Sequence, residues 1–327
     1  MANNRKCFFR GSLVELCFRT EEGLPFIATP YMLLIVQSIL ARAQSLYPLT
    51  ICHAVLMDNH AHLLARIENP QVVKDFVAYF KRETAHSINR FLGREKRTVW
   101  GDGYDSPTIL DAAKAIERIV YIYTNPQRAH LVKSIEEYPN FSTWESFQQG
   151  GSSNRIKRIM RSTIPKLPKR SLSIAAQEKL AMALEKEGLE EYELVIEPDA
   201  WMLCFSELDE ADPRRINQEI ESRVKHTEQE LSKHRQVPIK GTHALKLESL
   251  RVVYAPTKRT RRMICLASNR DHRNSFIFWF KALSAIATEA YQRWKDGDYL
   301  AELPPGMFWP GGRLSEEIEM PQTIVYA

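Results

Sequence analysis

The stretch VLMDNHAHLLARI, residues 55–67, sets two histidines one residue apart inside an apolar run. Asp58 and Asn59 are turn formers, so the residues up to Met57 and those from His60 onward read as two strands of a hairpin. Side chains alternate across a strand, which puts His60 and His62 on one face and Ala61 and Leu63 on the other. Two imidazoles on one face at this spacing can chelate one divalent ion. Taken alone, the pair fits a hydrogen-bonded core arrangement equally well.

Working outward, residues 10–18 suit a strand, and residues 30–46 have apolar positions at helical spacing with Pro30 in the first turn. Residues 49–57 are rich in β-branched and apolar side chains and form the first hairpin strand. A helix over 71–92 should stop at Gly93, and a second over 111–124 should start on Asp111 as N-cap and end before Pro126. One more strand is expected around Val99–Leu110. The order β-α-β-β-α predicts an α+β fold with a mainly antiparallel sheet. On the second helix Tyr121 and Asn125 lie four apart and share a face. Tyr123 is equally available by composition, and a packed helix end also accounts for the pattern.

Hydrophobic residues make up 44% of the 327 and charged residues 26%, the balance of a globular protein, and the net charge of +5 suits a polyanionic partner. Five dispersed cysteines without a CxxC pair argue for free thiols in a reducing compartment. The start lacks a signal-peptide core, and the apolar stretch YMLLIVQSILA is too short to span a bilayer, so the expectation is a cytoplasmic protein with no membrane partner. Residues 150–172 read as a basic Gly/Ser/Pro-containing linker between a domain over 1–149 and an extension over 173–327. The extension reads as mainly helical, with helices over 174–187, from Asp212-Pro213 to about His234, and an apolar core helix over 273–294. Two short strands are expected within 247–268, flanking the basic run TKRTRR at 257–262, and an extended tail from Gly297 to Gly312. Lys81, Arg82, Arg94, Lys96 and Arg97, with Arg155, Lys157 and Arg158 in the linker, are candidate phosphate contacts for a polyanion, or else solvated surface charge.

VLMDNHAHLL resembles the histidine–hydrophobic–histidine signature of the HUH nucleases, and YIYTNPQRAHLV, residues 121–132, resembles the catalytic helix of the REP-associated tyrosine transposases, a single-tyrosine branch of that group. KRETAHSINRFLGREKRTVWGDGY at 81–104 and YPNFSTWESF at 138–147 are similar to the same family, so the likeness spans roughly residues 8–147. Asp58 replaces a usual proline, Gln127 an aliphatic or basic residue, and His130 a glycine. The resemblance implies a ferredoxin-like HUH nuclease domain, with His60, His62 and Asn125 holding Mg²⁺ or Mn²⁺ and Tyr121 as nucleophile. It implies a transposase that cuts and rejoins single-stranded, hairpin-flanked DNA through a 5′-phosphotyrosine, as monomer or homodimer. The alternative is a non-catalytic nucleic-acid-binding protein built on such a domain. A hydrolase of the amidohydrolase type also begins with HxH on a strand, but the later His and Asp ligands on successive βα units are missing.

Overall fold

The computed structural model describes the chain except for residues 1–5, 22–25, 27, 96, 253–262, 310–314 and 317–327. Strand β1 (Leu13–Arg19) leads to α1 (Pro30–Leu46), whose N-cap Thr29 accepts from the Met32 N–H. The hairpin β2 (Thr50–Leu56) and β3 (His60–Arg66) follows, then α2 (Pro70–Leu92), which ends on Gly93 in the left-handed conformation at φ 66°. The two-residue strand β4 (Thr108–Ile109) precedes α3 (Ala112–Arg128), capped by Asp111 accepting from the Lys114 N–H at 2.7 Å. The sheet order β2-β3-β1-β4, antiparallel throughout, with both crossing helices on one face, is the ferredoxin-like β-α-β-β-α-β arrangement. Helices α1 and α2 pack on Val14, Leu16, Phe18 and Leu63, and α3 packs on the other face over Leu13 and Leu64.

The expected stop at Pro126 is not observed: α3 runs two residues further. Proline's fixed φ is already helical and its missing N–H removes a single bond, while the Ala129 N–H still reaches the Asn125 carbonyl at 2.9 Å. The helix closes in a Schellman arrangement, with Leu131 N–H donating to the Pro126 carbonyl and His130 N–H to that of Gln127, both at 2.9 Å. That motif needs a left-handed residue, and His130 supplies it at φ 57°, where a glycine would carry no Cβ strain.

The stretch expected as a linker is structured. After α4 (Trp144–Gln148), residues Ser152–Lys157 form β5. Helix α5 (Ile174–Lys186) then leads to β6 (Glu191–Ile196), which pairs antiparallel with β5. This second sheet docks on α1, where the Gln44 amide donates to the Val195 carbonyl and accepts from its N–H, each at 3.0 Å. Helix α6 (Pro213–Lys233) lies along α3, with the Gln127 amide donating to the Glu228 carbonyl at 2.8 Å and the Ser232 hydroxyl at 2.9 Å. After α7 (Thr242–Lys246), β7 (Cys265–Leu266) adds a fifth strand to the first sheet, parallel to β4. Of the two strands expected within 247–268, this is the one found among the described residues; the run 257–262 lies outside them.

The expected core helix at 273–294 is α8 (Arg270–Lys295), but only one of its faces is buried, on Phe276, Phe280, Ala287 and Ala290, while Phe278 is 64% exposed. The tail beyond it returns to the start of the chain, where the Phe8 N–H donates to the Gly306 carbonyl at 3.2 Å. The C-terminal half thus contributes to both sheets and covers α3. No helix among the described residues is long and apolar enough to cross a membrane.

Candidate active site

Alternation along β1 sends Glu15, Cys17 and Arg19 to the α3 side, and alternation along β3 sends His60 and His62 there. The antiparallel register sets Cys17 opposite His62 and Arg19 opposite His60, so Glu15 lies diagonally across from His62. On α3, Arg118, Tyr121 and Asn125 recur at three- and four-residue spacing, which lines them along the helix side that meets the histidines.

The contacts are specific. His62 Nδ1–H donates to Glu15 Oε1 at 2.7 Å, and His60 Nδ1–H donates to Asn59 Oδ1 at 2.7 Å. The two rings meet edge to face with centroids 4.9 Å apart, and the His62 ring stands 5.8 Å from that of Tyr121. The Asn125 amide donates to His60 Nε2 at 3.3 Å. Arg118 clamps Glu15 with Nε and Nη2 at 2.8 and 2.7 Å, and its guanidinium carbon lies 4.1 Å over the Tyr121 ring. A second guanidinium, of Arg128, lies 5.7 Å from the same ring.

Burial separates the two imidazoles electrostatically. His60 is pushed well below its ordinary value, first by desolvation and then by the His62 and Arg19 charges. Desolvation acts the same way on His62, but the Cys17 sulfur and the Glu15 carboxylate outweigh it and raise the group to about 10. Glu15, 2% exposed, is held down at about 2 although burial opposes it, because His62 and Arg118 bond to both its oxygens. A proton would therefore compete with any metal ion for His62 Nε2.

The residues fit a divalent ion. Both Nδ1 atoms are committed to oxygen acceptors, which leaves both Nε2 lone pairs for the site. His62 Nε2 is buried with no hydrogen-bond partner among the described residues. Asn125 is the third polar group beside them, and turning its amide would exchange its nitrogen for its oxygen next to His60 Nε2. Among the described residues no group of three or more His, Cys, Asp or Glu side chains gathers to hold a metal.

Tyr123 is separated from Tyr121. It is 0% exposed, on the inner side of α3, with its hydroxyl 2.8 Å from His53 Nδ1 and 3.1 Å from Thr143 Oγ1. The register shift in β2 at Ile51/His53 is a bulge. It turns both Cys52 and His53 toward α3.

The structure does not bring the expected basic residues to the histidines. Lys81 and Arg82 stand on α2, on the far side of the sheet. The Lys81 ammonium donates to the Gly101 and Gly103 carbonyls at 2.8 and 2.9 Å, and Arg82 reaches Glu83 at 3.2 Å. Arg94 and Arg97 follow Gly93, where the Asn89 amide donates to the Arg97 carbonyl at 2.8 Å, and Lys96 lies outside the described residues. Arg155 and Lys157 stand on β5 and Arg158 just beyond it, against α1, with Arg158 paired to Glu190 at 3.5 Å. Sequence reasoning missed Glu15 and Arg118. The available signals were a lone carboxylate in an otherwise apolar strand and an arginine one turn before Tyr121.

No curated protein matches the chain. A solved structure of a REP-associated tyrosine transposase bound to a REP hairpin is similar at 17% identity and a TM-score of 0.40, over 46% of this chain and 86% of that one. Residues 17–125 match the family model of the IS200-like transposases. That segment, a third of the chain, runs from Cys17 on β1 to Asn125 on α3 and contains both histidines and Tyr121.

Proposed function

We propose that this protein is a metal-dependent, single-strand DNA endonuclease and strand transferase in which Tyr121 is the nucleophile and His60, His62 and Asn125 hold Mg²⁺ or Mn²⁺. The observation that carries the reading is the pair of imidazoles with Nδ1 tied back and Nε2 left for the site, next to a half-buried tyrosine on α3. A bound divalent ion supplies charge withdrawal at a non-bridging phosphate oxygen. Neutral imidazole and amide ligands leave its positive charge uncancelled.

The chain's own groups do the rest. The Tyr121 hydroxyl attacks phosphorus, forms the phosphate–tyrosine bond and breaks the bond to the 3′ oxygen. The phenolic proton leaves to a solvent base, and the departing 3′ oxygen takes one up. The 5′-phosphotyrosine conserves the bond, so a later 3′-hydroxyl reverses the step and joins strands without ATP. Arg118, 4.1 Å over the ring, holds the phenol in place. The net charge of +5 supports a DNA partner, and five free thiols support a cytoplasmic setting.

Incubation with hairpin-flanked single strands and Mg²⁺ or Mn²⁺, followed by a denaturing gel, should show a covalent protein–DNA band. That band should be lost with EDTA and in His60→Ala and His62→Ala. Strand binding without a band under any divalent ion would favour the non-catalytic alternative.

A further inference from the structure

Two side chains, the buried Glu15 and the half-buried Arg118, form one line behind the proposed metal ligand His62. Arg118 grips both carboxylate oxygens of Glu15, and Glu15 accepts from His62 Nδ1. The same guanidinium lies over the Tyr121 ring, its central carbon 4.1 Å from the ring centroid. The Glu15–Arg118 pair therefore touches both halves of the proposed machinery, a metal ligand at one end and the nucleophile at the other. His60, by contrast, is oriented by an uncharged amide oxygen, that of Asn59.

We infer that Glu15 and Arg118 are positioning residues of the strand-cleavage site: Glu15 fixes the tautomer and ring angle of the metal ligand His62, and Arg118 couples that ligand to the placement of the Tyr121 phenol. The inference rests on the reading above and adds two residues and a coupling to it. The physical argument has two parts. A carboxylate on the far nitrogen of a ligating histidine locks its tautomer and ring angle and makes the near nitrogen a better donor, an effect on the order of one to two decades in metal affinity in comparable sites. A bidentate guanidinium has one orientation relative to its carboxylate, so a ring packed 4.1 Å from it is placed relative to that carboxylate as well. Glu15 sits in the strand paired to the histidine strand, and Arg118 is one turn from Tyr121 on α3, so the relay ties sheet to helix across the site.

The test uses the full chain and Mn²⁺ as the probe, with affinity read by calorimetry without DNA and adduct formation read separately in single turnovers. In Glu15→Gln the amide oxygen still accepts from His62, so packing is kept while the charge is lost. The Mn²⁺ Kd should rise about tenfold or more with little change in the thermal midpoint of the metal-free protein. Arg118→Lys keeps a cation beside Glu15 but loses the fork and the flat face. It should hold Mn²⁺ within a few-fold of the wild type and lose about tenfold or more in adduct rate at saturating Mn²⁺ and DNA. Should Glu15→Gln fold poorly beside an unpaired Arg118, the double variant Glu15→Gln/Arg118→Gln removes both charges together and should show the same loss of Mn²⁺ affinity. A wild type that binds Mn²⁺ and forms the adduct, next to an unchanged Kd in the Glu15 variants or an unchanged rate in Arg118→Lys, overturns this inference alone. A wild type that does neither overturns the parent reading and this one with it.

Discussion

The two faces of the central sheet are built from the same strands and have opposite characters. Toward α1 and α2, β1 and β3 present Val14, Leu16, Phe18, Ala61 and Leu63, and aromatic rings such as Phe18, Phe80 and Trp100 interlock with centroids 5.2–6.0 Å apart. Toward α3, the same sheet presents two buried polar chains, His62–Glu15–Arg118 and His53–Tyr123–Thr143. The first face contributes stability through area removed from water. The second gives up such area for groups that must each find a partner, and it is the face that holds the proposed chemistry. A strand can serve both ends because its side chains alternate; the lesson is that a one-residue difference in position decides whether a substitution tests folding or function.

The sharpest way to break this division is Tyr121→Phe. It should abolish the covalent adduct while changing stability by less than about 1 kcal/mol, since the ring that rests against His62 and Arg118 remains. Tyr123→Phe should do the reverse, keeping the adduct and costing about 1–3 kcal/mol, because the buried His53 Nδ1 is left without its partner. Adduct retained in the first and lost in the second would reassign the nucleophile. On the other face, Leu63→Ala should cost about 2–5 kcal/mol in denaturant unfolding and leave the adduct rate per folded molecule unchanged. A specific loss of rate there would show that the faces are not independent.

A pH titration sharpens the comparison within the polar face. Burial holds His53 neutral in the folded state down to about 3, against an ordinary 6.5. The unfolded chain takes up that proton first, so this group's contribution to stability falls as pH drops below 6.5 and is lost progressively toward 3. Between pH 7 and pH 5 the difference amounts to about 2 kcal/mol. His62 has the opposite sign: its raised value favours the folded state at low pH, and that contribution fades as pH rises from 6.5 toward about 10. Measuring the wild type against His53→Phe isolates the first group, and parallel stability curves would remove it. At the end of α3, His130→Gly should stabilise the fold by about 1 kcal/mol, since φ 57° costs a side-chain-bearing residue and not a glycine. A destabilised variant would show that the histidine ring has a role of its own there.

The smallest expected effect concerns the basic surface. Neutralising Arg155, Lys157 and Arg158 should flatten the salt dependence of single-strand binding by up to about 0.7 for each phosphate they neutralise, without touching cleavage at saturating DNA. An unchanged slope would place these residues outside the DNA path.

Local signals carried the N-terminal elements: the turn at Asp58-Asn59, the cap Asp111 and the stop at Gly93 are each decided by neighbours within a few residues. The shared face of His60 and His62 follows from strand alternation alone, and that of Tyr121 and Asn125 from helix period alone. Which tyrosine meets the histidines is a tertiary matter, decided by which side of α3 lies against the bulged β2 and which against His62. The partnership of Glu15 and Arg118 is tertiary for the same reason: 103 positions separate them, and only the β1–β3 register and the docking of α3 bring them together. The supposed linker shows the limit of composition. Its Gly, Ser and basic residues describe a solvated strand as well as a flexible connector, and only pairing with β6 and the apolar face of α1 distinguishes the two. Sequence periodicity reports which side of an element is apolar, whereas what covers that side depends on contacts distant in the chain, and those are set by the fold as a whole.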